Sequence, residues 1–141
     1  MHLKTRQYLF ISSIIVVSLL LTACNTLQRI QTSEITGRFD ETFNLYSKHL
    51  RWSHFKQLTT FMTPEQIAPA LEKIQSLEGR KISSVRPQAW IFDEKENVMV
   101  GDVDIDYYVV DRGVIRSTTQ HQTWRLNGET WQLDSGLPNL P

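Results

Sequence analysis

Apolar residues recur every three or four positions up to Gly79 and every second position beyond it, so the chain changes from helix-forming to strand-forming within one stretch. From Glu34, the residues Ile35, Phe39, Phe43, Tyr46 and Leu50 are spaced to share one face of an amphipathic helix, with Arg38, Glu41 and Lys48 largely on the other. Burying five such side chains is worth about 1.5–3 kcal/mol each before entropy is counted, which makes this stripe core. The pattern loosens at Arg51-Trp52-Ser53 and resumes with Phe55, Leu58, Phe61 and Met62 as a short second helix. Thr63-Pro64-Glu65-Gln66 then reads as an N-cap, a proline at the first helical position and a capping-box glutamine. Ile67, Leu71 and Ile74 carry this third helix to Gly79, which ends it.

Past Gly79 the alternation predicts strands over Val85–Phe92, Val98–Val110, Val114–Leu126 and Thr130–Leu133. Pro87 cannot donate to a ladder and assigns the first strand to a sheet edge. Asn127-Gly128 is a hairpin signal that, as a type I′ turn, sets Trp124 directly opposite Trp131. Asp111-Arg112-Gly113 is a second turn. Helices first and an antiparallel meander afterwards make an α+β fold, with N-terminal helices packed on one face of a four-stranded antiparallel sheet.

The 141 residues carry 15 acidic and 15 basic side chains, which fits one globular domain and excludes a strongly basic nucleic-acid binder. Only Lys4 and Arg6 among the basic residues precede Asn25, so the chain from there onward has two more acids than bases. Met1 to Arg6 is basic, and Leu9 to Leu21 is an apolar run shorter than the ~20 residues of a spanning helix. Small residues follow, as in a signal peptide. Leu21-Thr22-Ala23-Cys24 resembles the lipobox of bacterial lipoprotein precursors. That resemblance implies removal of residues 1–23, acylation of Cys24 and attachment to a bilayer through three acyl chains. Asn25 after the cysteine implies, by the same family's sorting pattern, the periplasmic face of the outer membrane rather than the inner membrane. Residues 24–33 then read as acylated cysteine and tether, spanning on the order of 15–18 Å as a flexible coil, and residues 34–141 as the domain. Cys24 is the sole cysteine, so the domain has neither a disulfide nor a thiol nucleophile.

The order of elements, with the closing stretch Gln122-Thr123-Trp124-Arg125 and Gly128-Glu129-Thr130-Trp131-Gln132-Leu133, resembles the nuclear transport factor 2-like, or cystatin-like cone, superfamily. The resemblance implies a curved sheet wrapped around the first helix, often an apolar pocket at its open end, and frequent dimers. Its members include isomerases, dehydratases and non-catalytic assembly modules, so the fold does not choose a function. Enzymes of the superfamily place a Tyr, Asp or His in the pocket, and here Tyr46 and Tyr107 are the residues that reach such a place. Both also read as core tyrosines.

Asp102, Asp104 and Asp106 mimic the opening of a calcium loop, yet Tyr107 stands where its glycine and Gly113 where its glutamate are required. On a strand Asp102 and Asp106 are ~13 Å apart, which makes a solvated sheet face. Val98, Val100, Tyr108 and Val110 share that face, and are either a partner surface or residues turned inward by bulges. His49 and His54 point ~140° apart on a continuous helix, and no metal site is expected. His121 lies opposite Asp104 if the turn at Gly113 has two residues and opposite Val103 if it has three. Trp90, Trp124 and Trp131 fall on strands and Trp52 at a helix junction. A carbohydrate platform would need exposed polar or basic neighbours, and no basic patch is evident in the sequence.

No GxSxG, P-loop, dinucleotide fingerprint or HExxH occurs, and no cofactor is implied. The expected function is non-enzymatic binding or assembly in the cell envelope. Its partner is an envelope protein, an apolar small molecule or a second copy, with no nucleic acid. The expected pocket or partner face is drawn from Tyr46, Tyr107, His121 and Trp124. The alternative is an isomerase- or dehydratase-like enzyme with an acid–base pocket between the first helix and the sheet. A third reading is a glycan-binding surface, which exposed tryptophans favour.

Overall fold

The computed structural model describes residues 31–141, so the leader, Cys24 and the tether up to residue 30 lie outside the described residues. The chain forms two compact units, Met1–Gly37 and Arg38–Pro141. In the first, residues 31–37 are helical, and the Thr36 hydroxyl donates to the carbonyls of Thr32 and Ser33 at 3.0 and 3.1 Å. Residues 31–33, expected as tether, therefore belong to a helix. Among the described residues no helix is long and apolar enough to cross a membrane.

Residues 31–51 are helical (α1). They are followed by α2 (Phe55–Leu58), a 3₁₀ turn (Thr59–Phe61) and α3 (Pro64–Leu77). The strands are β1 (Arg80–Asp93), β2 (Val98–Val109), β3 (Ile115–Asn127) and β4 (Thr130–Leu133). They form one antiparallel sheet in the order β1-β2-β3-β4, which puts Pro87 on an edge strand as expected. The fold is α+β, with helices packed on a four-stranded antiparallel sheet.

The α1 stripe is the centre of the core. Phe39, Tyr46 and Leu50 are at most 1% exposed. Phe39 meets Trp90, Trp124 and Trp131 edge-on with centroids 4.9, 5.9 and 5.3 Å apart. Such perpendicular pairs set the positive ring edge against a negative face and add about 0.5–1.5 kcal/mol each beyond burial. Along β2 the buried and half-buried residues alternate strictly, with Met99, Val103, Ile105 and Tyr107 inward and the three aspartates outward.

Four local expectations change. β1 starts at Arg80 rather than Val85, because bulges at Ile82/Ser84 and Pro87/Trp90 break the alternation that would have marked its start. The β3–β4 hairpin pairs Asn127 with Thr130, so Trp124 faces Leu133 and Leu126 faces Trp131. Gly128 and Glu129 form the loop, with positive φ at Gly128 alone, and the turn is shifted one residue from the expected one. In α3 the buried residues are Ala70, Ile74 and Leu77, while Ile67 and Leu71 are 37% and 56% exposed. Thr63 does cap α3 by position, but its hydroxyl donates to Asp134 at 3.1 Å instead of accepting from the helix.

The C-terminal segment also differs from its expected form. Sequence alone makes it an extended tail over an edge strand, whereas Leu137 and Leu140 are only 4% and 3% exposed. Lys73 donates to the Leu137 carbonyl at 3.1 Å, and Gln120 donates to that of Gly136 at 3.1 Å. The tail is thus bonded to both α3 and β3.

Candidate functional site

Tyr46, Tyr107 and Trp124 all lie on the inner side of the sheet. Tyr46 is fully buried among Phe43, Phe61 and Trp124, with centroids at 6.3, 5.9 and 5.2 Å. Burial pushes its hydroxyl well above the ordinary phenol range, and the neighbouring Gln122 side chain offsets this only in part. The hydroxyl completes no hydrogen bond within the described residues. Tyr107, 1% exposed, donates its hydroxyl to the Pro141 backbone oxygen, which also accepts from Arg116 at 3.2 Å. The Trp124 indole N–H donates to Gln122 Oε1 at 3.0 Å, Gln122 Nε2 to Gln120 Oε1 at 2.9 Å, and Gln120 Nε2 to the Gly136 carbonyl. A relay of three side chains therefore links the aromatic centre to the tail. Rings enclose Tyr46, and the tail occupies the Tyr107 hydroxyl, so neither phenol lies beside open volume.

His121 is on the other side of the sheet. The β2–β3 connection, residues 109–114, is longer than either expected loop: Tyr108 and Ile115 are the last pair, and both Arg112 and Gly113 donate to the Val109 carbonyl. His121 consequently faces Asp102, with Nδ1 2.8 Å from Asp102 Oδ1. The next rungs repeat the arrangement. Thr119 donates to Asp104 Oδ1 at 2.6 Å and Gln88 to Asp104 Oδ2 at 3.0 Å, while Ser117 donates to Asp106 Oδ1 at 2.6 Å. Arg86 pairs with Asp106 Oδ2 and donates to Ser84 at 2.6 Å. These bonds hold the Asp104 carboxyl below its usual range through Thr119 and Gln88, and that of Asp106 at about 2 through Arg86 and Ser117.

This polar ladder has apolar ends. The β2–β3 register runs without a break, so Val98, Val100 and Tyr108 stay on the aspartate face rather than turning inward. Ile91, opposite Val100, is 66% exposed, and Ile115, opposite Tyr108, is 65% exposed. Among the described residues no group of three or more His, Cys, Asp or Glu side chains is placed to hold a metal ion. His49 and His54 come within 5.7 Å, closer than a continuous helix allows, because the chain reverses at Ser53 in a left-handed conformation.

A groove lies between α1 and β1. It has a volume of about 390 Å³ and is lined by residues of α1, by Trp52, and by Val85 and Pro87 of β1. Trp52 is 68% exposed, and Lys48 and Arg51 stand beside it, so the basic neighbours not evident in the sequence are present in space.

No protein-family model matches the chain, and no curated protein does. Among solved structures it is similar to the solution structure of a SEC-C motif containing protein from Rhodopseudomonas palustris, at 10% identity and a TM-score of 0.52. The match covers 62% of this chain and 67% of that one. At that identity the likeness is one of fold.

The sequence sets His121 opposite Asp104 or Val103 and Trp124 opposite Trp131, whereas their partners are Asp102, and Leu133 with Gln122. Gln120 and Gln122 were legible as a polar pair on the inward side of a strand, a placement that requires bonded partners. Arg86 carries no such signal, since its pairing with Asp106 depends on a bulge in β1.

Proposed function

We propose that this chain is a lipid-anchored protein of the bacterial envelope whose α+β domain binds a partner without catalysing a reaction. The anchor rests on Leu21-Thr22-Ala23-Cys24 and the apolar run before it. The finer fold goes with it: a cleaved leader, and a cone-like curved sheet of the nuclear transport factor 2-like kind. Outer-membrane placement, facing the periplasm, rests on Asn25.

The observation that carries the binding reading is the enclosure of both candidate acid–base tyrosines. An acid–base catalyst needs an ionisable group beside open volume. Tyr46 is enclosed by rings, and the Tyr107 hydroxyl is occupied by the tail. The groups that face outward in fixed positions are those of the ladder, bordered by exposed Ile91 and Ile115. Exposed apolar residues beside ordered polar groups mark surfaces that meet a partner. The partner is an envelope protein or a second copy of the chain.

Growth with labelled palmitate, combined with in-cell crosslinking from the ladder, tests both halves. Label on the protein and one reproducible crosslinked species, lost when Ile91 and Ile115 are both changed to Asp, is the expected result. Sedimentation of the purified full chain at several concentrations separates a second copy from another protein. An unlabelled product free in the periplasm overturns the anchor. Turnover of a small substrate with no captured species overturns the binding role.

A further inference from the structure

We propose that the groove between α1 and β1 binds a saccharide bearing an anionic group, a carboxylate or a phosphate on a pyranose ring. The site faces α1 rather than the polar ladder, and its occupancy does not depend on the acyl anchor.

The volume of about 390 Å³ lies within the ~300–1,000 Å³ of small-molecule sites. Phe43, Val85 and Pro87 give it an apolar base, and Trp52 a wall. Trp124 and Trp131 are 0% and 1% exposed and Trp90 is half-buried, whereas Trp52 is 68% exposed. The outward placement is built into the backbone. The Trp52 amide still donates to the Lys48 carbonyl at 3.1 Å, and the next residue, Ser53, then takes φ of 55°. A left-handed serine is uncommon, and here it reverses the chain immediately after the indole. An exposed indole face offers dispersion contact to the C–H face of a sugar ring.

The polar lining suits the rest of such a ligand. Asn44 offers a donor and an acceptor to ring hydroxyls, and beneath the lining the Ser47 hydroxyl is enclosed without a hydrogen-bond partner. The charged residues lining the groove are Lys48 and Arg51, both cationic, and neither forms an ion pair among the described residues. Cations in the last turn of a helix also offset its dipole, but that role requires neither a groove nor an exposed indole. A guanidinium beside an aromatic wall can grip a carboxylate or phosphate through two parallel bonds. One ring, one anion and a few hydroxyl partners describe an acidic sugar better than a base-bearing ligand, which would need its edges read.

The test uses the full chain in detergent micelles and two matched probe pairs. N-acetylmuramic acid and N-acetylglucosamine share a ring and differ by an acidic ether; glucose 1-phosphate and glucose differ by a phosphate. Calorimetric titration should give at least about tenfold tighter binding for the acid of one pair than for its neutral partner. Whichever pair shows the preference identifies the anion. Arg51→Gln should remove the acid preference while leaving neutral-sugar affinity in place, and Trp52→Ala should weaken both members by about tenfold. Both residues are at the surface, and unchanged thermal melts will show that the variants fold. Absence of binding by all four probes, equal affinity within both pairs, or variants that bind like the parent each overturn the proposal. So does adenosine monophosphate binding as tightly as the acids, which would make the ligand a nucleotide.

Discussion

A buried indole N–H must find an acceptor, and at Trp124 it is Gln122, two positions earlier on the same face of β3. Gln122 is itself fully buried, so its amide nitrogen needs Gln120, and Gln120 needs the Gly136 carbonyl. Each bond in such a relay contributes modestly, while leaving one group unsatisfied costs about 1–3 kcal/mol. Gln122→Leu keeps the approximate size but strands the indole, and urea unfolding should show a loss in that range, with the far-ultraviolet spectrum unchanged. The ladder behaves differently because it is partly in water. Asp106 is held at about 2, below the ordinary carboxylate value, so its contribution is complete above roughly pH 4 and disappears as pH falls through about 2. Asp106→Asn still accepts from Ser117 but loses the charge facing Arg86. Its melting temperature should lie below the parent's at pH 7, and the two should converge by pH 2. A constant difference across that range would assign the effect to packing.

At the scale of elements, the tail is the part of the fold whose role is least evident from local sequence. Leu137 and Leu140 are buried as deeply as core strand residues, and the tail accepts hydrogen bonds from Lys73, Gln120, Tyr107 and Arg116. Leu140→Ala should therefore cost about 2–5 kcal/mol, nearer the lower end because a terminal segment can open locally. An unchanged urea midpoint would show that the tail opens independently of the domain. The same segment explains what sequence could and could not reveal. Phe39, Phe43, Tyr46 and Leu50 announced their helix through spacing alone, and Val103, Ile105 and Tyr107 announced their strand, because each pattern repeats within one element. The buried side of α3 did not: Ala70 is inward while Ile67 and Leu71 are exposed, and the tail that bonds this helix at Lys73 lies 64 residues further along the chain. Trp124 was recognisable as core, but its partner across the hairpin depended on whether Asn127 or Gly128 opened the turn, a difference of one residue. His121 and Asp102 met through a loop whose length no residue type dictated. Periodicity reports which side of an element is apolar; register and tail docking are decided by contacts outside it.

For the whole molecule, the proposed acyl anchor and the domain make separable demands. From Asn25 onward acids exceed bases by two, so the chain has no net positive charge with which to hold an anionic leaflet. The described helices include none that could span a bilayer. In the proposed reading, attachment comes from the lipid on Cys24, where each buried CH₂ would contribute about 0.8 kcal/mol and two chains already suffice. Charge and lipid respond oppositely to salt. At about 1 M the screening length shrinks to about 3 Å and electrostatic adhesion is lost, whereas burial of hydrocarbon is not weakened. Membranes washed in 1 M sodium chloride should retain the parent protein and release it only with detergent. Cys24→Ser removes the sulfur proposed to accept a diacylglyceryl group, so the variant should carry no palmitate and migrate as the uncleaved precursor. Release of the parent by salt alone would mean that a partner, rather than fat, holds it at the surface, and the ladder would then be the first place to seek that partner.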